Sequence, residues 1–189
     1  MSYLPDNYQQ PKQGSGDYLI IKEPQECKVR LLTKPTILYE AWTNDNKPVR
    51  KTTGENWELG DFKDTPRECW AFIVWNYEEK KFQVFSTTKR GFINDIYRFV
   101  QDEDWGEPTR YDIKLIRKGR TMEDTEYSIT PLPHKDLDAE IQKDFDSLTY
   151  DLDVLVDGGH PLQADKKKVE PRTEEIVSEP KDQTSDFPF

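Results

Sequence analysis

Cysteine is scarce in this sequence. Cys27 and Cys69 are the only two cysteines among 189 residues, and neither belongs to a Cys-x-x-Cys motif. We expect two small buried thiols in a reducing compartment, and a disulfide is the less favoured interpretation. No stretch of the chain has the length of a transmembrane helix, and the polar amino terminus lacks the apolar region of a signal peptide. These absences predict a soluble intracellular protein.

The residue patterns of common enzyme and cofactor sites are also missing. The two histidines, His134 and His160, form no ligand set with zinc spacing, and no phosphate-binding or dinucleotide-binding glycine motif occurs. The aspartates between residues 144 and 157 do not have the spacing of a calcium loop, and we interpret them as solvated surface residues. The sequence therefore predicts a protein that is not an enzyme and holds no metal or cofactor.

Acidic residues are unevenly distributed along the chain. Residues 1–135 hold 21 lysines and arginines against 22 acidic residues, so their balance is 21 − 22 = −1. Residues 136–189 hold 6 against 15, so their balance is 6 − 15 = −9. An acidic segment after a nearly neutral body is typical of an interaction tail. We expect such a tail to compete with nucleic acid for any basic groove on the body.

The stretch from Trp70 to Thr87 is typical of a β-hairpin, with apolar and aromatic residues on both faces of its first strand. A long strand interrupted at Lys34 and Pro35 precedes it, and helical spacing over Arg90 to Gln101 follows it. Two further strands come next. This order predicts an all-β fold with one or two helices, namely the OB-fold, a five-stranded Greek-key barrel.

We predict four segments. Residues 1–16 form a flexible arm, 17–135 the OB-fold nucleic-acid-binding domain, 136–149 a short helix, and 150–189 a disordered acidic tail.

Basic and aromatic residues interleave in the loops and strands that an OB barrel brings together. Proteins that bind single strands stack bases on aromatic rings and follow the phosphates with a positive groove. Each aromatic residue has the alternative of being core, and each cation that of solubilising the surface. The predicted nucleic-acid-binding residues are Lys28, Arg30, Lys34, Tyr39, Trp42, Lys47, Arg50, Lys51, Trp57, Trp75, Tyr77, Lys89, Arg117, Lys118 and Arg120.

Two phenylalanines follow the acidic region, in the segment Asp186, Phe187, Pro188 and Phe189. Exposed rings in a disordered tail gain nothing from folding, so we predict that this segment binds a partner with an apolar pocket and a basic rim. The alternative is that the two rings have no function there.

The body resembles a known family in four runs, KVRLLTKPTILYEAW, CWAFIVWNYEEKKFQVF, DWGEPTRYDIKLIRKG and DTEYSITPLP. It is similar to the OB-fold single-stranded DNA-binding proteins of tailed bacteriophages, and Asp186–Phe189 is similar to the tail tips of bacterial single-stranded DNA-binding proteins. The resemblance implies a protein of the host bacterial cytoplasm that coats single-stranded DNA without strong sequence preference during replication or recombination. It also implies that the tail recruits replication and recombination proteins.

A second interpretation belongs to another class. The chain would then be a protein-interaction module whose barrel binds a peptide and whose acidic tail mimics nucleic acid.

Overall fold

The structure is a computed structural model that describes residues 16–55, 57–58 and 61–163. It is mostly antiparallel β-sheet with two α-helices. The elements are β1 (Gln25–Leu31), β2 (Thr36–Trp42), β3 (Pro48–Lys51), β4 (Arg67–Asn76), β5 (Lys81–Thr87), α1 (Arg90–Gln101), β6 (Tyr111–Lys118), β7 (Glu126–His134) and α2 (Ala139–Asp146). Short 3₁₀ helices lie at Pro108–Arg110, Asp153–Leu155 and Pro161–Gln163.

Strand β4 organises the sheet. Strand β5 pairs with one edge of β4, from Trp70 opposite Thr87 to Asn76 opposite Lys81. The other edge is shared, because β2 pairs with the first half of β4 and β1 pairs with the second half. Strands β1 and β2 are therefore one long strand bent over residues 32–35, which is where the sequence predicts the interruption.

The remaining strands extend the sheet from β1 and β2. Strand β6 pairs with β1 and β7 pairs with β6, while β3 pairs with β2, all of them antiparallel. The sequence predicts a long connection from Asn44 to Arg67, and strand β3 lies inside it. Its four residues are too few to show an alternating pattern. Helix α1 has the predicted bounds. Helical spacing predicts an apolar stripe of Phe92, Ile96, Phe99 and Val100, of which the first three are buried and Val100 is exposed.

Both faces of β4 are buried, which explains why both are apolar in the sequence. On one face Trp70, Phe72 and Val74 join α1, β1 and β6 in what we call the inner cluster. The other face contributes to the outer cluster, whose buried members are Leu38, Cys69, Ala71, Ile73, Val84, Leu152 and Leu155. The predicted burial of the two cysteines is confirmed, since Cys27 and Cys69 are buried free thiols in different clusters.

The outer cluster is covered by residues 136–163, which we call the C-terminal strap. The strap begins with α2, whose amino end is capped by Asp138 accepting a hydrogen bond from the Glu140 backbone at 2.9 Å. Leu152 and Leu155 then enter the cluster at 6 % and 1 % exposure. The prediction that disorder begins at residue 150 is therefore wrong for residues 150–163. The predicted arm to residue 15 and the tail from residue 164 lie outside the described residues.

Candidate nucleic-acid interface

Several chain ends meet on one side of the sheet. Strand β2 ends at Trp42 next to the start of β4, and β5 ends at Thr87 opposite Trp70 of the same strand. A hollow of about 300 Å³ there is lined by residues that include Trp42, Lys89 and Tyr127. The β6–β7 hairpin brings its loop to the same place, because Tyr127 pairs with Arg117.

The hollow continues along the surface. A second hollow of about 320 Å³ shares Lys89 and Tyr127 with the first and extends to Arg117 and Arg120. A third, of about 520 Å³, shares Arg117 and Arg120 and reaches Lys22. We call this continuous depression, from Trp42 to Lys22, the cleft.

Aromatic rings stand at two points of the cleft. Trp42 is 41 % exposed at one end. Tyr127 packs edge-on against Phe92, with ring centroids 5.2 Å apart. Lys89 and Arg117 approach the Tyr127 ring, with their charged groups 5.4 and 5.8 Å from its centroid. Rings flanked by cations are what successive bases and phosphates of a single strand require.

The cations that line the cleft have no carboxylate partner among the described residues. Over residues 16–163 with their gaps, no ion pair involves the cleft-lining Lys22, Lys89, Arg117 and Arg120, or Lys118, which ends β6 outside the cleft lining. Arg117 donates one long hydrogen bond of 3.4 Å to the Ile21 carbonyl, and its buried Nε has no hydrogen-bond partner among the described atoms. An anionic ligand would supply the missing acceptor.

The loop between β6 and β7 holds Arg120 in place. Gly119 has a φ of 82°, and a Cβ there would lie 2.0 Å from the Asp124 carbonyl oxygen, so another residue would strain the turn. The Asp124 carboxylate accepts hydrogen bonds from the Thr121 hydroxyl and from the backbone N–H groups of Thr121 and Arg120. These bonds lower the pKa of Asp124. The Asp124 carboxylate is therefore occupied by the loop's own groups, and Arg120 is exposed.

The connection that follows β3 lies beside Trp42. Its Lys63 backbone donates a hydrogen bond of 2.8 Å to the Trp42 carbonyl, and Phe62 bridges to Thr43. Trp57 stacks edge-on against Phe62 at 5.1 Å, and Lys51 lies 4.8 Å from the centre of the Trp57 ring. These two predicted residues form a second pairing of a ring with a cation, close to the cleft.

Other predicted residues on this side have partners within the fold. Arg50 forms an ion pair with Glu40 at 2.7 Å and is mostly buried. Tyr39 packs under Gly54, since a Cβ there would lie 3.0 Å from its ring. Lys47 is exposed in the β2–β3 turn, and its backbone is bonded to Thr43. Of the two cations, Lys47 presents its charge to solvent and Arg50 does not.

Three predicted residues, Lys28, Arg30 and Tyr77, belong to a charge cluster around the buried Asp112. Arg30 is 2 % exposed, and its guanidinium donates to Asp112 at 2.7 Å and to the Lys135 carbonyl at 2.7 Å. Lys28 contacts the same carboxylate at 2.9 Å, and Tyr77 donates to it at 2.8 Å. Arg30 cannot meet a phosphate from this position. Tyr77 is anchored through its hydroxyl, and Lys28 Nζ lies 4.3 Å from the centre of its ring, outside the cleft lining.

The pKa values of Asp112 and Tyr77 are both shifted in this cluster. Burial alone would raise the pKa of Asp112, but hydrogen bonds from Lys28, Tyr77 and Arg30 outweigh it and lower the pKa. Burial and the bond to Asp112 raise the pKa of Tyr77 to about 12. The charged groups of this cluster therefore bind one another.

Trp75 and Lys34 also lie apart from the cleft. Trp75 packs on Phe82 at 5.0 Å, and Phe82 contacts Phe145 of the strap at 6.0 Å. The strap therefore covers the face on which the sequence predicts a stacking platform. Lys34 is exposed at the bend between β1 and β2, beside α1. The predicted partner-binding residues, Asp186 to Phe189, lie outside the described residues.

Two cleft residues are not among the sequence predictions. Tyr127 shares a strand face with buried Ile129, so alternation alone assigns it to the core. The basic loop that precedes Tyr127 is the sequence feature that could have indicated a binding role. Lys22 precedes β1 in a segment without periodicity.

Comparisons with known proteins return nothing, because no family model, curated protein or solved structure matches this chain. Over residues 16–163 with their gaps, no three His, Cys, Asp or Glu side chains are grouped to hold a metal ion. None of the helices described is both long and apolar enough to cross a membrane.

Proposed function

We propose that this chain is a single-stranded DNA-binding protein whose binding site is the cleft. The supporting observation is the row of cations without ion-pair partners, from Lys89 to Arg120, interleaved with Tyr127 and Trp42. Phosphates would meet the cations and bases would stack on the rings, with little hydrogen-bond reading of the base edges. Such binding has weak sequence preference, as coating DNA in replication or recombination needs.

We further propose that the sheet is an OB-type barrel left partly open. The bent β1–β2 strand, the β4–β5 hairpin, α1 and the β6–β7 hairpin follow one another in the OB order, with the helix after the third strand of the barrel. Among the described strands β5 and β7 do not pair. Helix α1 packs beside β7, where Asp95 accepts the Ile129 N–H at 2.7 Å. OB-folds bind their ligands through the loops that meet at the cleft.

The strap supports this placement of DNA through its charge. Residues 136–163 hold one lysine against eight acidic side chains, a balance of 1 − 8 = −7. The phosphate backbone would be repelled from the outer face of β4 and β5 and attracted to the cleft. The segment Asp186–Phe189 remains our proposed recruiter of replication and recombination partners in the host cytoplasm.

The competing proposal is that the cleft binds an acidic peptide. Rings and cations also suit such a ligand. Titration with dT oligomers separates the two, because a peptide-binding cleft would show no salt-dependent oligonucleotide binding.

Trp42→Ala is expected to weaken binding of a dT oligomer by about 1–3 kcal/mol, the cost of losing one stacked base. The thermal midpoint should change little, because the residue is 41 % exposed at a strand end and belongs to neither buried cluster. Fluorescence anisotropy of a labelled oligomer gives the affinity. Tyr150→Ala is the matched control, since Tyr150 is an exposed ring on the strap. Equal affinities for both variants would exclude Trp42 from the site.

Arg120→Ala is expected to weaken all sequences by a similar factor and to reduce the salt dependence of binding. The slope of log K against log salt should fall by about 0.7, the value for one contacted phosphate on a single strand. Lys143→Ala on the strap removes the same charge from an exposed site and should leave the slope unchanged. An unchanged slope for Arg120→Ala would mean that the loop does not contact phosphate.

A further inference from the structure

An apolar groove that shares no lining residue with the cleft lies between α1 and the bend that joins β1 to β2. It has a volume of about 480 Å³, which is within the range of sites that hold small ligands. Buried Leu31, Phe72 and Ile96 are among its lining residues. Tyr97 and Val100 line it on the α1 side, 60 % and 47 % exposed. Two large apolar side chains left in solvent beside a cavity indicate a surface that something covers.

The charges around the groove restrict what can cover it. Lys34 is exposed on its lining and has no ion pair with any described acidic residue. Glu107 lines it too, so the groove is not generally basic. A fitting occupant therefore offers apolar rings with an acidic side chain beside them, rather than a polyanion. This chemistry distinguishes the groove from the cleft.

We infer that the groove binds residues Asp186–Phe189 of the same chain. This segment offers two phenyl rings and an adjacent carboxylate, with Pro188 between the rings. Proline fixes its own φ and keeps the preceding residue extended, so less conformational entropy is lost on docking. The rings enter the apolar cavity beside Tyr97 and Val100, and Asp186 meets Lys34. The inference does not depend on DNA binding by the cleft.

The chain is long enough for this contact. Leu162 belongs to the described body, and Asp186 lies 186 − 162 = 24 positions after it. Such a length spans up to ~80 Å when extended, whereas a domain of this size is about 30–40 Å across. A linked segment that reaches its site is present there at up to about millimolar effective concentration. Docking within one chain is therefore favoured over docking between dilute copies.

Docking would have a consequence for recruitment. While both rings lie in the groove they are hidden from other proteins, so a partner must bind them more tightly than the groove does. Partners that bind the two rings more weakly than the groove does would then not be recruited.

The test uses the full-length chain with Phe187→Ala and Phe189→Ala, which leaves the groove without its proposed occupant. A labelled peptide of residues 180–189 should bind this variant with a Kd below about 1 mM, the concentration that the linkage supplies. It should bind the wild-type chain more weakly, because the wild-type segment competes. A peptide with both rings replaced by alanine should bind at least tenfold more weakly. A peptide of residues 172–181, which contains Ile176 and Val177, is the control for general stickiness.

Variants of the groove locate the contact. In the same double-alanine background, Val100→Glu should weaken the peptide at least tenfold, because it places a charge against the rings. Lys34→Glu should weaken it about two- to fivefold. Lys143→Glu, an equal charge change on the exposed strap, should have no effect. Thermal melts show whether each variant is folded, and Tyr97→Ala provides a second, uncharged test of the groove wall.

Nuclear magnetic resonance of the full chain tests docking within one molecule. Signals from Tyr97 and Val100 should differ between the wild-type chain and the double-alanine variant, and this difference should not depend on protein concentration. Identical signals, equal peptide affinities for the two chains, or unimpaired binding to Val100→Glu would overturn the inference. A difference that grows with concentration would assign the contact to neighbouring copies and overturn it as well. Oligonucleotide binding is measured separately, so failure of either proposal is recognised independently.

Discussion

A chain truncated after Thr149 should be far less stable than one truncated after Gln163. Both lack Asp186–Phe189, but only the shorter one loses Leu152 and Leu155 from the outer cluster. Removing a buried leucine side chain costs about 2–5 kcal/mol, and domains of this size are stable by only about 5–15 kcal/mol. Losing both leucines would therefore remove a large fraction of the total. It would also expose the apolar face formed by Leu38, Ala71 and Ile73.

Urea denaturation of the two truncated chains and the full chain gives the comparison. The chain ending at Gln163 should unfold close to the full chain. Leu155→Ala in the full chain should cost about 2–5 kcal/mol, whereas Asp153→Ala, an exposed neighbour in the same 3₁₀ helix, should cost little. If the chain ending at Thr149 were as stable as the full chain, the strap would not be part of the folded body.

This result bears on how the acidic charge acts. Residues 164–189 hold five lysines and arginines against seven acidic residues, a balance of 5 − 7 = −2, so most of the acidity lies in the strap. The strap is packed on the outer cluster, and its charges are fixed relative to the cleft. The sequence predicts an acidic tail that competes with DNA. The structure instead assigns most of the charge to a folded segment, so removing residues 164–189 should change low-salt DNA affinity only modestly.

The main sheet was predictable because its strands are long and strongly patterned. Strand β4 alternates apolar residues on both faces, which indicates burial on both sides, and α1 has a clear apolar stripe. The apolar residues on the second face of β4, however, can be interpreted in two ways, as a platform for bases or as a second core. The strap packs on this face, which is therefore a second core. The sequence does not predict this packing, because the short 3₁₀ helices of the strap contain too few apolar residues to show a periodic pattern.

The sequence indicates the kinds of side chain in the candidate site better than it indicates which residues form it. The loops that converge on the cleft follow from strand order, so Trp42, Lys89, Arg117 and Arg120 come together there. Arg30 and Lys28 are two residues apart on one strand face and look alike in the sequence. Only Arg30 is buried, because it contacts Asp112 and the Lys135 carbonyl, which are distant along the chain. No local pattern encodes that contact.

Asp112→Asn should lower stability by several kcal/mol at neutral pH while leaving DNA affinity nearly unchanged. The substitution keeps the shape of the side chain but leaves the buried Arg30 guanidinium without a counter-charge, which typically costs about 3–5 kcal/mol. Lys28 and Tyr77 lose their charged acceptor as well. Asp124→Asn is the control, because that carboxylate is in an exposed loop and its loss should cost less. Full stability combined with lost DNA binding would instead place the charge cluster in the interface.

The pH dependence provides a second, independent reading of the same cluster. The pKa of Asp112 is lower in the folded protein than in the unfolded chain, so its contribution to stability is fully present above the unfolded value of about 4. The contribution is lost as the pH falls through the lower, folded pKa. The stability difference between wild type and Asp112→Asn should therefore be constant from about pH 7 to pH 5 and shrink below about pH 4. Urea denaturation across this range measures it. A difference that stayed constant into strong acid would mean that Asp112 stabilises the fold by shape rather than by charge, and that Arg30 finds another partner.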